Sequence, residues 1–228
     1  MNTQTAPLLP TVEVETAANP AHAVIWMHGL GADGHDFEPI VHEFDRARLA
    51  ATRFVFPHAP TRPVTINNGY VMRAWYDILS PDFSQRREDP QGIEESARQI
   101  EALIARENSR GIIDANIVLA GFSQGGAIAL HTALRHPQRL AGIMALSTYL
   151  PLADTFVAAS HPANRDVPIF MAHGHSDGVI PYGFGQQSAK LLQEQGYPLS
   201  WHAYPMAHSV SAEEVRDIEN WLTKVLVQ

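Results

Sequence analysis

The sequence predicts a doubly wound α/β fold, in which helices cover both faces of a mostly parallel sheet. Apolar, strand-like runs alternate with amphipathic segments along the chain, as expected of right-handed βαβ crossovers. Some runs, such as residues 23–27 and 140–146, are apolar throughout, which is typical of strands buried on both faces. The 228 residues contain no internal repeat or low-complexity linker, so we expect a single domain over residues 1–228.

The first part of the chain predicts three strands, one helix and a long excursion. Residues 11–15 alternate apolar and acidic side chains, which indicates a half-exposed edge strand. Residues 23–27 and 53–56 are expected as buried strands, with a helix at about 37–44 between them. Residues 58–89 are weakly periodic but rich in aromatic residues, which disordered segments lack. We expect an ordered excursion over one rim of the sheet, carrying Tyr70, Trp75, Tyr76 and Phe83.

The remaining chain continues the alternation of strands and helices. Residues 90–106 give the clearest helix, because apolar residues recur there at spacings of three and four. The other strands are expected at residues 116–119, 140–146, 167–172 and 199–204, and further helices at residues 125–135 and 183–195. Ser211 and Glu214 have the spacing of a capping box, so a last helix is expected to begin there. Only residues 147–166 separate two successive strands, which leaves room for a minimal lid.

The composition excludes several classes of function. A net charge of −8 without a cluster of Lys and Arg argues against a nucleic-acid partner. The absence of cysteine excludes disulfides, thiolate metal sites and a cysteine nucleophile, and it fits a reducing cytoplasm. Residues 1–7 lack the features of a signal peptide, and no window reaches the roughly 18 apolar residues of a membrane span. We therefore expect a cytoplasmic protein without stable membrane insertion.

The most informative motif follows the strand predicted at residues 116–119. The stretch Gly121-Phe122-Ser123-Gln124-Gly125 fits G-x-S-x-G, the nucleophile elbow, and a helix pattern follows it. On such a sharp turn the serine has a strained backbone and its hydroxyl projects out of the sheet. Small residues are needed on either side because the strand and helix backbones nearly touch. The alternative is a glycine-rich turn with an incidental serine.

Two further residues complete a candidate catalytic set with Ser123. A serine nucleophile needs a base, and the base needs a third group that orients it. Asp177 follows the strand at 167–172 and His208 follows the strand at 199–204, so all three residues lie beyond the carboxyl ends of strands. Their order along the chain is that of α/β-hydrolases. The alternatives are an ordinary Asp-Gly turn at Asp177 and a loop histidine without a partner at His208.

The loop at residues 28–31 follows the strand at 23–27 and is expected to form part of an oxyanion hole. The backbone N–H groups of Leu30 and Gln124 are the candidate donors. The same loop also fits the dinucleotide pattern G-x-G-x-x-G, but the acidic residue that this fingerprint requires is missing at the end of the next strand. Nucleotide binding is therefore disfavoured.

A metal centre is also disfavoured. His173 and His175 lie close to Asp177, but a turn with this spacing lacks a third ligand in the sequence. Asp154 and Asp166 are rivals of Asp177 for the acidic position, but neither directly follows a buried strand.

Taken together, these residues resemble the phospholipase/carboxylesterase family of α/β-hydrolases, which includes bacterial carboxylesterases and acyl-protein thioesterases. The matching stretches span nearly the whole chain in the family's order, at residues 27–32, 56–60, 74–77, 121–126, 146–151, 173–177 and 207–208. The resemblance implies an ester or thioester hydrolase with the α/β-hydrolase fold, acting through Ser123, His208 and Asp177 without a cofactor. It is compatible with a homodimer. One departure is Thr148, where similar proteins often carry glycine.

The expected function is that of a serine carboxylesterase, which hydrolyses small-molecule acyl esters of short to medium chain length through an acyl-enzyme on Ser123. Trp75, Tyr76 and Tyr70 are expected to wall the acyl pocket, and the alternative is that these aromatic side chains belong to the core. Within the enzyme class, an acyl-protein thioesterase or a lysophospholipase remains open. A non-catalytic binding module on the same fold is the alternative from a different class.

Overall fold

The computed structural model describes residues 8–80 and 87–226. Phe83 and the expectation for residues 1–7 lie outside the described residues. The strands in the two described ranges are β1 Thr11–Glu15, β2 His22–Met27, β3 Thr52–Pro57, β4 Thr61–Val64, β5 Tyr70–Arg73, β6 Ile117–Phe122, β7 Gly142–Leu146, β8 Ile169–Gly174 and β9 Leu199–Tyr204. The α-helices in these ranges are α1 Pro90–Ser109, α2 Gln124–Arg135, α3 Ala153–Ala159, α4 Tyr182–Glu194 and α5 Ala212–Val225.

The central sheet has the strand order β1-β3-β2-β6-β7-β8-β9. Strand β1 lies at one edge, as predicted for the alternating segment at residues 11–15, and it runs antiparallel to β3. The other neighbouring pairs in this sheet are parallel. The predicted doubly wound and mostly parallel sheet is therefore confirmed, and the carboxyl ends of β2, β6, β8 and β9 lie along one rim.

Side chains on the two faces of the sheet enter separate apolar cores. Ile25 and Leu119 pack with residues of α1, α2 and α4, whereas their neighbours Val24 and Val118 pack with residues of α5. Successive residues of a strand point to opposite faces, so both faces must be apolar here. This arrangement explains why the buried strands appear as continuous apolar runs in the sequence.

Two helical segments differ from the expectation. The segment predicted as a helix at 37–44 is a short 3-10 helix, Glu38–His42, in which Pro39 provides no N–H donor. The connection at residues 147–166 contains α3, which the sequence pattern did not reveal. Phe156 is the one fully covered side chain of that helix, so its apolar periodicity is too short to detect. Among the described residues, no helix is both long and apolar enough to cross a membrane.

The capping box expected at the start of α5 is only half formed. The Ser211 hydroxyl accepts a hydrogen bond from the Glu214 N–H at 3.2 Å. The Glu214 carboxyl group is buried and has no hydrogen-bond partner within the described ranges, so the reciprocal bond is missing. Burial raises the pKa of Glu214 to about 8, which favours the protonated form of this carboxyl group.

The excursion after β3 is ordered over residues 58–80, as expected. Its strands β4 and β5 form an antiparallel pair. The Asp77 carboxylate accepts hydrogen bonds from the backbone N–H and the hydroxyl of Thr65 at 2.7 and 2.6 Å. These contacts tie the segment after β5 back to the hairpin, over the rim that carries the carboxyl ends of the parallel strands.

Candidate active site

Ser123 lies at the tip of a sharp turn between β6 and α2. Its backbone has φ 56° and ψ −121°, a conformation that costs on the order of 1–3 kcal/mol for a residue with a side chain. A Cβ atom on Gly121 would lie 2.2 Å from the Gly125 carbonyl carbon, and one on Gly125 would lie 2.3 Å from the Met27 carbonyl oxygen. The two glycines are therefore required by backbone packing, as predicted for a nucleophile elbow.

The elbow is also held by hydrogen bonds to its own backbone. The Ser123 N–H donates to the Leu146 carbonyl at 2.9 Å, and the Ser123 carbonyl accepts from the Ala127 N–H at 3.1 Å. The hydroxyl of Thr148 donates to the same Ser123 carbonyl at 2.6 Å. Thr148 is fully buried, so its side chain is part of the support beneath Ser123.

Asp177 and His208 are brought together by the turns that follow β8 and β9. Asp177 Oδ2 accepts a hydrogen bond from His208 Nδ1 at 2.7 Å. The two turns lie in direct contact, because the Ser176 N–H donates to the Met206 carbonyl at 3.0 Å. The Asp177 side chain is fully buried, whereas 16% of the His208 side chain is exposed. His208 therefore faces the open side of the site with a carboxylate behind it.

Phe122 connects His208 with the elbow. Its ring centroid lies 4.7 Å from that of His208, and Phe122 directly precedes Ser123 in the chain. In the described part of the chain, no hydrogen bond joins the Ser123 hydroxyl to His208. Such bonds are often long before substrate binds and tighten in the reacting complex.

The loop after β2 contacts the elbow directly. A Cβ atom on Gly29 would lie 3.4 Å from Ser123 Cβ, so the backbone of this loop passes close to the nucleophile candidate. Leu30 and Gln124, the predicted oxyanion-hole residues, both border the same cavity as Ser123. The Gln124 side chain binds the excursion, because it accepts from the Trp75 N–H at 3.0 Å and donates to the Tyr76 carbonyl at 2.8 Å.

His28 holds that loop in place as a neutral imidazole. Its Nε2 accepts a hydrogen bond from the Ala59 N–H at 3.0 Å, so the ring proton lies on Nδ1, which donates to the Gly29 carbonyl at 2.7 Å. Burial lowers the pKa of His28 to about 4. This supporting role of His28 could not be predicted from the sequence, since it depends on a contact with Ala59, which is distant in the chain.

A cavity of about 280 Å³ opens beside Ser123. Its apolar lining consists of Leu30, Ile66, Tyr76, Ile78, Tyr149, Val179 and Ile180. Asp77, Ser80, Arg87 and Glu88 contribute polar groups. The cavity can therefore accept an apolar group attached to a carbonyl carbon near Ser123.

Of the three predicted aromatic wall residues, only Tyr76 borders the cavity, and the expectation for the other two is corrected. Trp75 is fully buried, and its indole N–H donates to the His28 carbonyl at 2.9 Å. The Trp75 carbonyl accepts from the Ser96 hydroxyl, so this residue joins the excursion to α1. Tyr70 is 70% exposed on the hairpin. Tyr149 also borders the cavity, although no sequence pattern indicated it, and its hydroxyl lies 2.6 Å from that of Tyr76.

His173 and His175 do not converge on a common point. His173 Nε2 lies 2.9 Å from the Ile180 carbonyl oxygen, whereas the His175 ring packs on Tyr182 with centroids 4.8 Å apart. Over residues 8–80 and 87–226, no group of three or more His, Asp or Glu side chains is arranged to hold a metal ion.

The profile of the family described as phospholipase/carboxylesterase matches residues 9–226. The chain belongs to this family, and it is a serine hydrolase. It is 41% identical to acyl-protein thioesterase 1 of Neurospora crassa over 225 residues, which cover 95% of this chain and 92% of that protein. It is 36% identical to a probable carboxylesterase of Oryza sativa subsp. japonica, over 95% of this chain and 82% of that protein.

Solved structures of similar proteins have the same fold. The crystal structure of Arabidopsis thaliana SOBER1 matches with a TM-score of 0.85 and 33% identity, over 90% of this chain and 99% of that chain. The crystal structure of Zea mays acyl-protein thioesterase 2 matches with a TM-score of 0.84 and 27% identity, over 95% of this chain and 99% of that chain. The expected α/β-hydrolase fold and the predicted family are thus both confirmed.

Proposed function

We propose that this family member hydrolyses acyl esters of short to medium chain length through an acyl-enzyme on Ser123, with His208 as general base and Asp177 as its orienting group. The observation that carries the proposal is the 2.7 Å hydrogen bond between His208 Nδ1 and Asp177 Oδ2, on the rim where the elbow projects Ser123. A carboxylate accepts but does not donate, so the proton of a neutral His208 lies on Nδ1. Its Nε2 is then free to accept the proton of a nucleophile.

The reaction has two halves. The Ser123 oxygen attacks the acyl carbonyl carbon while His208 Nε2 takes the hydroxyl proton, and a tetrahedral oxyanion forms. When the carbonyl re-forms, the bond to the alcohol or thiol breaks, and His208 returns the proton to this leaving group. A water molecule then attacks the acyl-enzyme, with His208 as base, and releases the carboxylic acid and the Ser123 hydroxyl.

The backbone N–H groups of Leu30 and Gln124 are proposed as the oxyanion donors. Both residues border the cavity at Ser123, and the loop of Leu30 is supported by the two hydrogen bonds of the His28 ring. The N–H of Gln124 belongs to the first turn of α2, where backbone donors are not used within the helix. Donors that are fixed before the reaction stabilise the developing charge without reorganisation.

The cavity supports an apolar acyl group. Aliphatic side chains, among them Leu30, Ile66 and Val179, border it near Ser123, and its volume of about 280 Å³ is small. Transfer of alkyl groups from water to such surroundings contributes about 0.8 kcal/mol for each buried methylene group. We therefore propose a preference for short to medium acyl chains over charged or bulky ones.

A thioester substrate is the second candidate. Two relatives at 41% and 40% identity carry the name acyl-protein thioesterase 1, whereas another at 36% is named a probable carboxylesterase. The residues proposed for catalysis act on the carbonyl carbon, which esters and thioesters share. A thiolate is a better leaving group than an alkoxide, so the same site can cleave either bond. We also infer a single catalytic domain, because residues that border the cavity range from Leu30 to Ile180.

A paired substrate series tests the proposal. Wild type and Ser123→Ala are assayed on p-nitrophenyl esters of increasing chain length and on S-acyl cysteine peptides with the same acyl groups. We expect wild-type turnover to fall by about 10⁴-fold or more in Ser123→Ala, because loss of the nucleophile removes the acyl-enzyme route. Ser109→Ala changes an exposed serine at the end of α1 and serves as the control. Full turnover by Ser123→Ala would contradict the proposal. The ratio of the wild-type turnover rates on the esters and on the thioesters shows which bond is preferred.

A further inference from the structure

The carboxylate of Asp177 is surrounded by four donor groups. Its Oδ1 accepts from the N–H groups of Val179 and Ile180 at 2.8 and 2.9 Å. Its Oδ2 lies 2.7 Å from His208 Nδ1 and 3.2 Å from Nε2 of a second histidine, His173. The first three groups form hydrogen bonds with the carboxylate, whereas the hydrogen bond of His173 Nε2 goes to the neighbouring Ile180 carbonyl.

The proton of His173 can be assigned from its neighbours. Besides Asp177 Oδ2, His173 Nε2 lies 2.9 Å from the carbonyl oxygen of Ile180. Both of these oxygens are acceptors. Burial lowers the pKa of His173, so the ring is neutral and carries a single N–H. That N–H is therefore at Nε2, where it donates to the Ile180 carbonyl, with Asp177 Oδ2 at 3.2 Å from the same nitrogen.

Packing alone does not explain a histidine at this buried position. The His173 side chain is fully buried, and among the described residues its Nδ1 has no hydrogen-bond partner. The Trp201 ring stacks on it at a centroid distance of 6.1 Å, and a Cβ atom on Gly185 would lie 2.4 Å from Nδ1. An apolar side chain would fill the same site without leaving a buried nitrogen unpaired. What His173 supplies and an apolar residue does not is the Nε2–H.

We propose that His173 is a positioning residue for the Asp177–His208 pair. Its N–H donates to the carbonyl of Ile180, and the N–H of Ile180 donates to Asp177 Oδ1, so the ring holds the turn that orients the carboxylate toward His208. The same Nε2–H lies 3.2 Å from Oδ2 and favours its negative charge. This inference rests on the proposed function, in which His208 is the general base. The charged or titratable groups that face His173 are Asp177, His208 and Tyr182, the last with its ring edge 6.0 Å away.

Two substitutions at His173 separate the effect of its Nε2–H donor from the effect of the ring's volume. His173→Leu removes the N–H, whereas His173→Gln keeps an amide N–H at about the reach of Nε2. We expect kcat on a p-nitrophenyl ester to fall about 10- to 100-fold in His173→Leu, as a small misplacement of a catalytic group does, with little change in KM. In the same variant, the acidic limb of the pH profile of kcat/KM is expected to shift along the pH axis. His173→Gln is expected to recover most of kcat and the wild-type profile.

His131 provides a matched control. It is equally buried, its Nε2 lies 3.1 Å from the Glu94 carboxylate, and its Nδ1 has no partner within the described ranges. His131→Leu is expected to change the free energy of unfolding and to leave the pH profile of kcat/KM unchanged. The His131 ring lies in α2 and contacts Glu94 rather than Asp177. A folded His173→Leu variant with the wild-type kcat and pH profile would overturn the proposal.

A second readout does not depend on turnover. The low-field proton resonance of His208 Nδ1–H, assigned by its loss in His208→Ala, reports the bond to Asp177. We expect it to shift or broaden in His173→Leu and to return in His173→Gln. Wild type that fails on every acyl substrate while showing this pattern would contradict the proposed function and still support the positioning role. A resonance unchanged in both variants would contradict the positioning role itself.

Discussion

The hydroxyl of Thr148 forms a hydrogen bond with the backbone of Ser123. The 2.6 Å hydrogen bond reaches the carbonyl of the strained residue, and the Thr148 methyl group lies against Gly126, where an added Cβ would be 2.7 Å from it. The side chain therefore supports the elbow from below by both polar and apolar contact. Strained residues persist only when such surrounding contacts hold them in place.

Removal of the Thr148 hydroxyl tests whether its hydrogen bond stabilises the elbow. We expect Thr148→Val to lower the free energy of unfolding by about 1 kcal/mol, the usual contribution of a buried hydrogen bond, and to reduce kcat more than KM. Thr132→Val is the matched control, because in the described chain the buried Thr132 hydroxyl has no hydrogen-bond partner. Denaturant unfolding of both variants measures the difference. Equal stability changes in the two variants would argue against support of the elbow by Thr148.

At the scale of elements, the turn from β6 into α2 depends on the close approach of β2. A Cβ atom on Gly125 would lie 2.3 Å from the Met27 carbonyl oxygen and 2.6 Å from the His28 carbonyl oxygen. Both are backbone atoms, which cannot rotate aside as a side chain can. The elbow is thus fixed by the packing of α2 on the sheet as well as by its own sequence.

Two glycine substitutions test this packing. We expect Gly125→Ala to destabilise the fold by about 3 kcal/mol or to prevent folding, because overpacking here forces backbone shifts. Gly183→Ala, in the first turn of α4, meets no atom within 4 Å and is expected to be neutral or stabilising by up to about 1 kcal/mol. Thermal unfolding of the two variants provides the comparison. A Gly125→Ala protein as stable as wild type would show that the elbow has more room than these distances allow.

At the scale of the whole molecule, ionisable groups link helices that are distant in the chain. His136, at the end of α2, lies between Glu101 of α1 and Asp114, at 2.8 and 2.7 Å. Burial lowers the pKa of His136, but the hydrogen bonds and charges of Glu101 and Asp114 outweigh burial and raise the pKa above its ordinary value of 6.5. Folding therefore favours the protonated ring.

The sign of the pH dependence follows from this raised pKa. The stabilisation is fully present below about pH 6.5, the unfolded value, and is lost as the pH rises through the higher folded pKa. We expect His136→Gln to lower the free energy of unfolding more at pH 6 than at pH 9. Urea unfolding of both proteins at the two pH values measures this difference. A stability difference that is the same at both values, or larger at pH 9, would contradict the assignment.

How much of the site could be predicted from the sequence depends on how separate segments meet in the fold. Ser123, Asp177 and His208 could be chosen because each directly follows a predicted strand, and parallel strands bring their carboxyl ends to one rim. The cavity could not be assigned correctly, because its wall combines side chains from separate segments, such as Ile66, Tyr149 and Val179. Sequence alone does not indicate which side of each segment faces the cavity. Trp75 illustrates the difficulty, since its large apolar ring fits a pocket wall and a core equally well.

In the proposed mechanism, Ser123 is the nucleophile and the Asp177–His208 pair activates it. Reaction of the intact protein with a fluorophosphonate, followed by mass spectrometry of its peptides, tests both parts directly. We expect a single phosphonyl group on the peptide that contains Ser123, and labelling about 10³-fold slower or more in His208→Ala and Asp177→Asn. Labelling at another serine, or an undiminished rate on Ser123 in both variants, would contradict the account.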